Sequence, residues 1–248
     1  MIAPESLGWF LLSAGVAEII GTMAGFGAAT VLTPVASFFM DIKTAVAVVA
    51  CFHLFGNASR LYFFGRHIAW RIVREFGVAA VACSFAGAAL AGWLPPEAIR
   101  LLLGGFLVVY AVLEGCRVTA VRVPAAPRTL LIGGVTSGTI AGLIGTGGAV
   151  RSVCLLAFGL PKEAYLGTSA AIALLVDATR LPVYVSQRFI PGSMAPVLLA
   201  LLGVAFVGAW VGQRLARRVP PVQFKQFVLV MLFLMGCKLL ADGWKGIA

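Results

Sequence analysis

Apolar runs of about twenty residues recur along the whole chain, and they constrain the fold more than any other feature. An α-helix rises 1.5 Å per residue, so about twenty apolar residues cross the hydrocarbon core of a bilayer. The residues are 61% hydrophobic and 11% charged, whereas a soluble domain carries roughly 25% charged residues. The sequence therefore predicts an all-α polytopic membrane protein, with residues 1–248 forming a single membrane domain in a lipid bilayer.

The formal net charge of +10 does not indicate nucleic-acid binding. The basic residues cluster in short loops between the apolar runs, and that distribution is typical of loops that stay on the cytoplasmic side. Glu5 precedes the first apolar run without any Lys or Arg. Because a cleaved signal peptide begins with a basic stretch, the first run is expected to remain as a membrane helix.

No motif in the sequence indicates an enzyme, a cofactor or a metal site. The five cysteines form no C-x-x-C pair, and the two histidines stand apart from each other. The glycine-rich stretch Gly145–Gly148 lacks the Lys-Ser or Lys-Thr ending of a phosphate-binding loop. We therefore predict no catalytic residue, no cofactor and no metal.

Charged residues, glycines and prolines divide the chain into ten apolar segments. Two of them, the second and the seventh, are too short to span a bilayer. Each follows a glycine-rich break, which predicts a half-helix with unwound backbone at its tip. The segments are expected near 7–24, 28–40, 44–64, 72–92, 96–115, 129–145, 149–158, 163–187, 194–213 and 221–241.

The segments also form a repeat. Three short stretches recur in the same order: 21–25 with 138–142, 57–61 with 177–181, and the Pro-Pro pair at 95–96 with that at 220–221. The repeats are predicted to cover 1–120 and 121–248. Each has a short half-helix or re-entrant pair plus three transmembrane helices, which gives about eight to ten membrane segments.

Basic residues alternate between equivalent loops of the two halves, and this predicts the orientation. The loop at 65–74 and the loop at 214–220 are rich in arginine, as is the linker between the halves, while their counterparts are not. The positive-inside rule places these three loops in the cytoplasm and both termini outside. An odd number of crossings per half makes the repeats inverted, as in secondary transporters that hold substrate where the halves meet.

A series of motifs in the second half resembles the sulfite exporter TauE/SafE family of membrane proteins. It reads Gly145-Thr146-Gly147-Gly148, then Leu160-Pro161-Lys162, then Gly167-Thr168-Ser169. The resemblance extends over essentially the whole chain, with the first half a degenerate copy in which Ala47-Val48-Val49 replaces Gly-Thr-Ser. It implies export of sulfite or organosulfonates from the bacterial cytoplasm across the plasma (inner) membrane.

The glycine-rich tips are the first candidates for a substrate site. Free N–H groups at the start of a helix attract anions, and sulfite or a sulfonate offers several acceptor oxygens. The alternative is helix packing, because glycines at and before the tips have the four-residue spacing that lets helices approach closely. These pairs are Gly21 with Gly25, Gly134 with Gly138, and Gly138 with Gly142. The tip residues expected to bind the small anionic substrate are Gly25, Gly27, Gly145, Thr146, Gly147 and Gly148.

Three arginines could supply positive charge to the same site. Arg60 and Arg180 occupy equivalent positions in the two halves, and an arginine at membrane depth is usually functional. Asp177 could pair with Arg180 along its helix. Asn57 takes that place beside Arg60, so the charge of Arg60 is expected to be the freer of the two. Arg151 lies in the first turn of a short helix. All three could instead extend toward the membrane interface.

Other polar residues have weaker assignments. Thr168 and Ser169 could donate hydroxyl groups to a substrate, or could bond their own backbone or a partner helix. Glu18, His53 and Asp177 are candidates for carrying a coupling proton, with structural hydrogen bonding or ion pairing as the alternative.

We therefore predict a secondary transporter that exports sulfite or an organosulfonate, driven by the proton gradient or the membrane potential. The alternatives are uptake or channel-like passage of another oxyanion such as thiosulfate, and a non-transporting membrane scaffold. Small residues on several helices permit a homodimer.

Overall fold

The computed structural model describes residues 4–24, 27–116, 123–215 and 221–246. Those residues form helices and turns without any strand, as predicted. The ten α-helices are α1 (Pro4–Ala24), α2 (Ala29–Ala36), α3 (Ile42–Phe64), α4 (Trp70–Trp93), α5 (Pro96–Gly115), α6 (Pro127–Ile144), α7 (Gly148–Leu156), α8 (Lys162–Ser186), α9 (Ala195–Leu215) and α10 (Pro221–Lys245). Gly25 and four arginines used to predict the orientation, Arg117, Arg122, Arg217 and Arg218, lie outside the described residues.

Seven of the described helices are long and apolar enough to cross a membrane: α1, α3, α4, α5, α8, α9 and α10. This finding confirms the prediction of an all-α polytopic membrane protein. The short helices α2 and α7 have 8 and 9 residues, which at 1.5 Å per residue amounts to about 14 Å at most. Neither can span a bilayer, as the sequence predicted.

Local chemistry explains where several helices begin and end. Asp41 caps the start of α3, where its carboxylate accepts from the backbone N–H groups of Lys43 at 2.9 Å and Thr44 at 3.4 Å. Proline occupies the first position of α5 and of α6, where its missing N–H costs nothing. Gly145 ends α6 with a φ of 83°, a left-handed conformation that favours glycine.

Helices α3 and α8, which are equivalent in the predicted repeat, run antiparallel. The end of α3 lies against the beginning of α8, because a Cβ atom at Gly167 would lie 2.6 Å from the carbonyl oxygen of Phe64. At their other ends, the Lys43 ammonium lies over the ring of Phe189, 5.3 Å from its centroid. Helices α3 and α8 therefore face each other along their length.

The equivalent helices α5 and α10 also run antiparallel. Gly104 lies against Gly236, and further along the pair Gly243 lies against Leu101. These are the directions that an inverted repeat requires of equivalent helices. The inverted relation itself stays a prediction.

Glycines let α6 pack directly on the backbone of α4. Cβ atoms at three α6 glycines four residues apart would collide with the α4 backbone, Gly134 with Phe76, Gly138 with Ala80 and Gly142 with Ser84. The four-residue spacing in α6 therefore serves close helix packing, which was one of the two alternatives for these glycines.

Candidate functional site

The two glycine-rich breaks meet in the interior of the protein. The hydroxyl oxygens of Thr30 and Thr146 lie 2.8 Å apart, and both residues are fully buried. Thr30 is in the first turn of α2 and Thr146 directly precedes α7. Ser137 donates from its hydroxyl to the Gly147 carbonyl oxygen at 2.8 Å, which fixes the second break against α6. The amino-terminal ends of both short helices are thus held together.

Arg151 extends from the first turn of α7 into this region. It is 4% exposed, and its Nε donates to the Ser169 hydroxyl at 3.0 Å. No carboxylate in the described part of the chain lies within 4.0 Å of its guanidinium nitrogens. A buried guanidinium stays charged. It therefore places a positive charge beside the two helix ends, whose N–H groups favour anions.

His53, on α3, faces the same region through one ring nitrogen. Its Nδ1 lies 2.8 Å from Asp177 Oδ2, whereas its Nε2 is buried without a hydrogen-bond partner among the described residues. A Cβ atom at Gly27 would lie 2.8 Å from this Nε2 and 3.8 Å from Arg151 Nη2. The glycine also has a φ of 90°. Any side chain at Gly27 would be strained and would fill the space between His53 and Arg151.

Arg60 is paired with Glu18, and the expectation that its charge is freer than that of Arg180 is wrong. Its Nη2 donates to Glu18 Oε1, and the same guanidinium donates to Thr22 Oγ1 at 3.0 and 3.2 Å. Its Nη1 donates to Asn57 Oδ1 at 3.0 Å. The partner carboxylate comes from α1 rather than from the helix of Arg60 itself. Glu18 is therefore ion-paired, one of the structural alternatives to carrying a proton.

Arg180 pairs with Asp177 along α8, as the sequence suggested. Its Nε and Nη2 donate to Asp177 Oδ1 at 2.9 and 2.6 Å. Its Nη1 donates to the Ala141 carbonyl oxygen at 2.5 Å, and the Tyr184 hydroxyl donates to that of Gly142 at 2.6 Å. The Ala141 carbonyl oxygen also accepts from the backbone N–H of Gly145 at 3.0 Å, so Arg180 adds a second donor to it. Tyr184 supplies a donor to the Gly142 carbonyl, one of the last carbonyls of α6, which lack partners within a helix.

Asn57 connects the two ion pairs. Its side-chain amide accepts from Arg60 through Oδ1, and its Nδ2 lies 3.5 Å from Asp177 Oδ2. The same Nδ2 donates to the His53 carbonyl oxygen at 2.8 Å. Polar side chains from α1, α3 and α8 thus form one buried network, and His53 is the member of it that faces Arg151.

The buried charges of the described residues do not balance. Three arginines and two carboxylates are buried, and His53 is a further buried group that can take up a proton. Two arginines take the two carboxylates and the third, Arg151, is left over. Burying an uncompensated charge costs several kcal/mol, so this arrangement is expected to bind an anion.

Several other predicted residues lie at or beside the tips. Gly145 and Gly147 shape the break between α6 and α7, and Gly148 begins α7. Thr168 faces elsewhere, because its Oγ1 accepts from the backbone N–H of Ala69 at 2.9 Å, between α3 and α4. Its neighbour Ser169 contacts Arg151. The hydroxyl of Thr168 therefore serves a helix connection instead of the tips.

Sequence reasoning did not select Thr30, Asn57 or Tyr184 for the site. Asn57 had a signal, because the repeat aligns it with Asp177. Thr30 and Tyr184 had none, since hydroxyl-bearing residues in apolar helices are common and their contacts lie 116 and 42 residues away in sequence.

A cavity in the described part of the chain lies away from the tips. It has a volume of about 540 Å³ and opens where α3 begins and α8 ends, with a lining of Asp41, Lys43, Thr44, Gly92, Trp93, Gln187, Arg188 and Phe189. Neither Arg151 nor His53 reaches it. The tips themselves are closed to solvent, with Thr146 1% exposed.

Comparison with known proteins identifies the family. The model of the family described as sulfite exporter TauE/SafE matches residues 10–239. The chain belongs to this family. The match includes both glycine-rich breaks and both buried ion pairs, so the network described above lies within the family region. No curated protein matches the chain. As a TauE/SafE protein with seven apolar helices long enough to cross a bilayer, it is a multi-pass membrane transporter of the sulfite exporter type.

Proposed function

We propose that this chain exports small sulfur-containing anions, sulfite or organosulfonates, across the bacterial plasma membrane by alternating access. Family membership supports the sulfur oxyanion class. Arg151 carries the proposal. It is a buried positive charge without a carboxylate partner in the described residues, and it lies beside the starts of two short helices. A sulfite or sulfonate group, with its negative charge and several acceptor oxygens, suits that combination of donors.

In this proposal Arg60 and Arg180 brace the site and do not bind the anion. Their donors are already used by protein acceptors, through the pair with Glu18 and the pair with Asp177. Each ties the long helix of its half to the helix that precedes the break, Arg60 to α1 and Arg180 to α6. The breaks are thereby held beside the substrate.

Alternating access follows if the two halves are an inverted repeat that rocks about the anion. The antiparallel directions of α3 and α8, and of α5 and α10, support this arrangement. The basic loops then lie in the cytoplasm with both termini outside. Single cysteines introduced at Arg66 and at Gly192, in a variant whose five native cysteines are replaced by serine, test the orientation. An impermeant thiol reagent added outside intact cells should label only the second.

Sulfite flux into proteoliposomes tests the function. Arg151→Gln should reduce saturable flux by at least tenfold, because the site loses its uncompensated charge. Arg100→Gln is the matched control: it removes one positive charge from α5, where Arg100 lies beside Glu97 at 3.7 Å, half-exposed. Folded Arg151→Gln protein with wild-type flux would overturn the assignment of the site.

The same vesicles can show which anion is transported and in which direction. Loading sulfite, an organosulfonate or thiosulfate on one side at a time, under an imposed pH gradient or membrane potential, shows which anion moves and which way. Faster thiosulfate entry on the side equivalent to the cell exterior would favour the uptake alternative. Absence of flux for every anion would contradict transport of this class.

A further inference from the structure

We propose that His53 Nε2 is the proton-binding atom of the anion site, so that an anion without a hydrogen of its own binds together with one proton. This inference rests on the proposed function. It identifies the atom through which proton binding and anion binding are coupled. The contacts described above do not by themselves assign His53 a role in binding.

The hydrogen bond to Asp177 decides which ring nitrogen of His53 carries the hydrogen. Asp177 accepts two N–H groups of Arg180, so it is an ionised carboxylate. An ionised carboxylate only accepts hydrogen bonds. The 2.8 Å distance from Asp177 Oδ2 to His53 Nδ1 therefore requires a hydrogen on Nδ1. In neutral His53, the other nitrogen, Nε2, then has a lone pair and no hydrogen.

This lone pair lies where the anion is expected. Nε2 is buried, lacks a partner among the described residues, and lies 2.8 Å from the position of a Cβ atom at Gly27. Arg151 Nη2 lies 3.8 Å from that same position. An anion oxygen that contacts Arg151 here also meets Nε2. Two acceptors without a hydrogen between them repel each other.

One added proton removes this repulsion. When Nε2 takes a proton, the ring becomes an imidazolium that donates to the anion through Nε2 and to Asp177 through Nδ1. When the anion carries its own hydrogen, as hydrogensulfite does, that O–H donates to the neutral Nε2. Both routes place one proton between His53 and the anion, with no change in oxidation state.

The surroundings of His53 contain the groups that set the charge of the site. Asp177 faces it from α8, Asn57 and Arg60 lie on its own helix, and Arg151 faces it from α7. The chain between α1 and α2 contributes Gly27, which has no titratable group. Helix α9, which also packs on α3, has a single charged residue, Arg214, in its last turn. Asp177 is therefore the acid that directly stabilises a protonated His53.

Methanesulfonate is the probe for the first experiment, because it is a monoanion that cannot carry a hydrogen to the site. Its affinity for the purified full-length protein is measured across about pH 5 to 9, the range in which histidine changes charge. Uptake of one proton per anion should weaken binding about tenfold per pH unit on the alkaline side. His53→Gln should abolish that slope, because an amide neither gains nor loses the proton.

His67→Gln is the matched control. His67 is the second histidine of the chain and lies exposed in the turn after α3. This variant should keep the wild-type slope. A wild-type affinity that does not change with pH, or a His53→Gln variant that keeps the slope, would overturn the proposal.

Nitrogen-15 spectra of labelled histidine test the tautomer without any anion, and so separate this proposal from the proposed function. Two side chains contribute signals, and the His53→Gln variant assigns them. In alkaline, anion-free protein His53 should carry its hydrogen on Nδ1; a hydrogen on Nε2 would refute the proposal. Absence of methanesulfonate and sulfite binding at every pH would instead refute the anion site.

Discussion

The buried ion pair between Glu18 and Arg60 is predicted to lose more stability when one partner is replaced than when the other is. Glu18 is fully buried, and Arg60 is 6% exposed. Glu18→Gln keeps an acceptor oxygen for Arg60 and Thr22 but removes the negative charge. Arg60→Met removes the positive charge and leaves a carboxyl group. A buried carboxyl can neutralise itself by binding a proton, whereas a guanidinium stays charged. We therefore expect Glu18→Gln to be the more destabilising change.

The magnitudes follow from the contacts. Breaking a buried ion pair and leaving one charge costs about 3–5 kcal/mol, and Glu18→Gln should fall near the lower end because the hydrogen bond survives. Arg60→Met removes the donor of Thr22 Oγ1 and Asn57 Oδ1 and leaves Glu18 with only the Thr22 hydroxyl, which costs about 1–3 kcal/mol once the carboxyl is neutral. The double variant contains no unpaired charge. It should be more stable than Glu18→Gln alone, although it carries one more substitution.

The free energy of unfolding in mixed detergent micelles, measured for the wild type and the three variants, provides the test. Glu18 is replaced by Gln because Gln has the same shape. A Cβ atom added at Gly56 or at Gly208 would lie 2.8 Å from an atom of Glu18, so the site has no room for a side chain of another shape. If Arg60→Met is the more damaging single change, or if the two costs add in the double variant, the pair does not act as described. The coupling energy would then be near zero.

Two further predictions concern the end and the packing of α6. Tyr184→Phe should lower the free energy of unfolding by about 1–2 kcal/mol, because the Gly142 carbonyl oxygen loses its donor. Tyr62→Phe, at an 84% exposed residue, should leave the free energy of unfolding unchanged. Equal effects of the two substitutions would contradict the role of Tyr184. Gly138→Val should abolish the folded, monodisperse fraction in size-exclusion chromatography, because its side chain would collide with the α4 backbone. Gly105→Val is the control, because nothing lies within 4 Å of its Cβ position, and this variant should remain folded with most of the wild-type yield. A well-folded Gly138→Val protein would contradict the packing.

The order and type of the helices were predictable from the sequence because membrane helices obey a length rule. Runs of about twenty apolar residues and two glycine-rich breaks indicated ten helices, and the structure has ten in its described residues. The short helices end earlier than the apolar runs suggested, with α2 finishing at Ala36 instead of near residue 40. Residues 38–40 are apolar but lie in a turn and a bend after α2, which hydrophobicity alone does not reveal.

The pairing of the buried charges was only partly predictable. Asp177 and Arg180 are three residues apart on one helix, so the spacing itself suggests contact. Glu18 and Arg60 are 42 residues apart on different helices, and only tertiary packing brings them together. The same limit applies to the contact of Thr30 with Thr146. Local spacing identifies pairs within a helix, while the choice of partner between helices depends on which faces meet.

The predicted repeat also accounts for the asymmetry of the proposed anion site. Aligning the starts of α2 and α7 places Leu32 opposite Arg151, and the register that aligns Asn57 with Asp177 places Ala173 opposite His53 and Val49 opposite Ser169. The arginines proposed as braces, Arg60 and Arg180, occur in both halves, whereas Arg151 comes from the second half and the nitrogen proposed to bind the proton comes from the first. A second copy of Arg151 would add a further buried positive charge to a site that, in our proposal, already gains one when His53 takes up a proton. A single Arg151 therefore suits a site that binds one anion together with one proton.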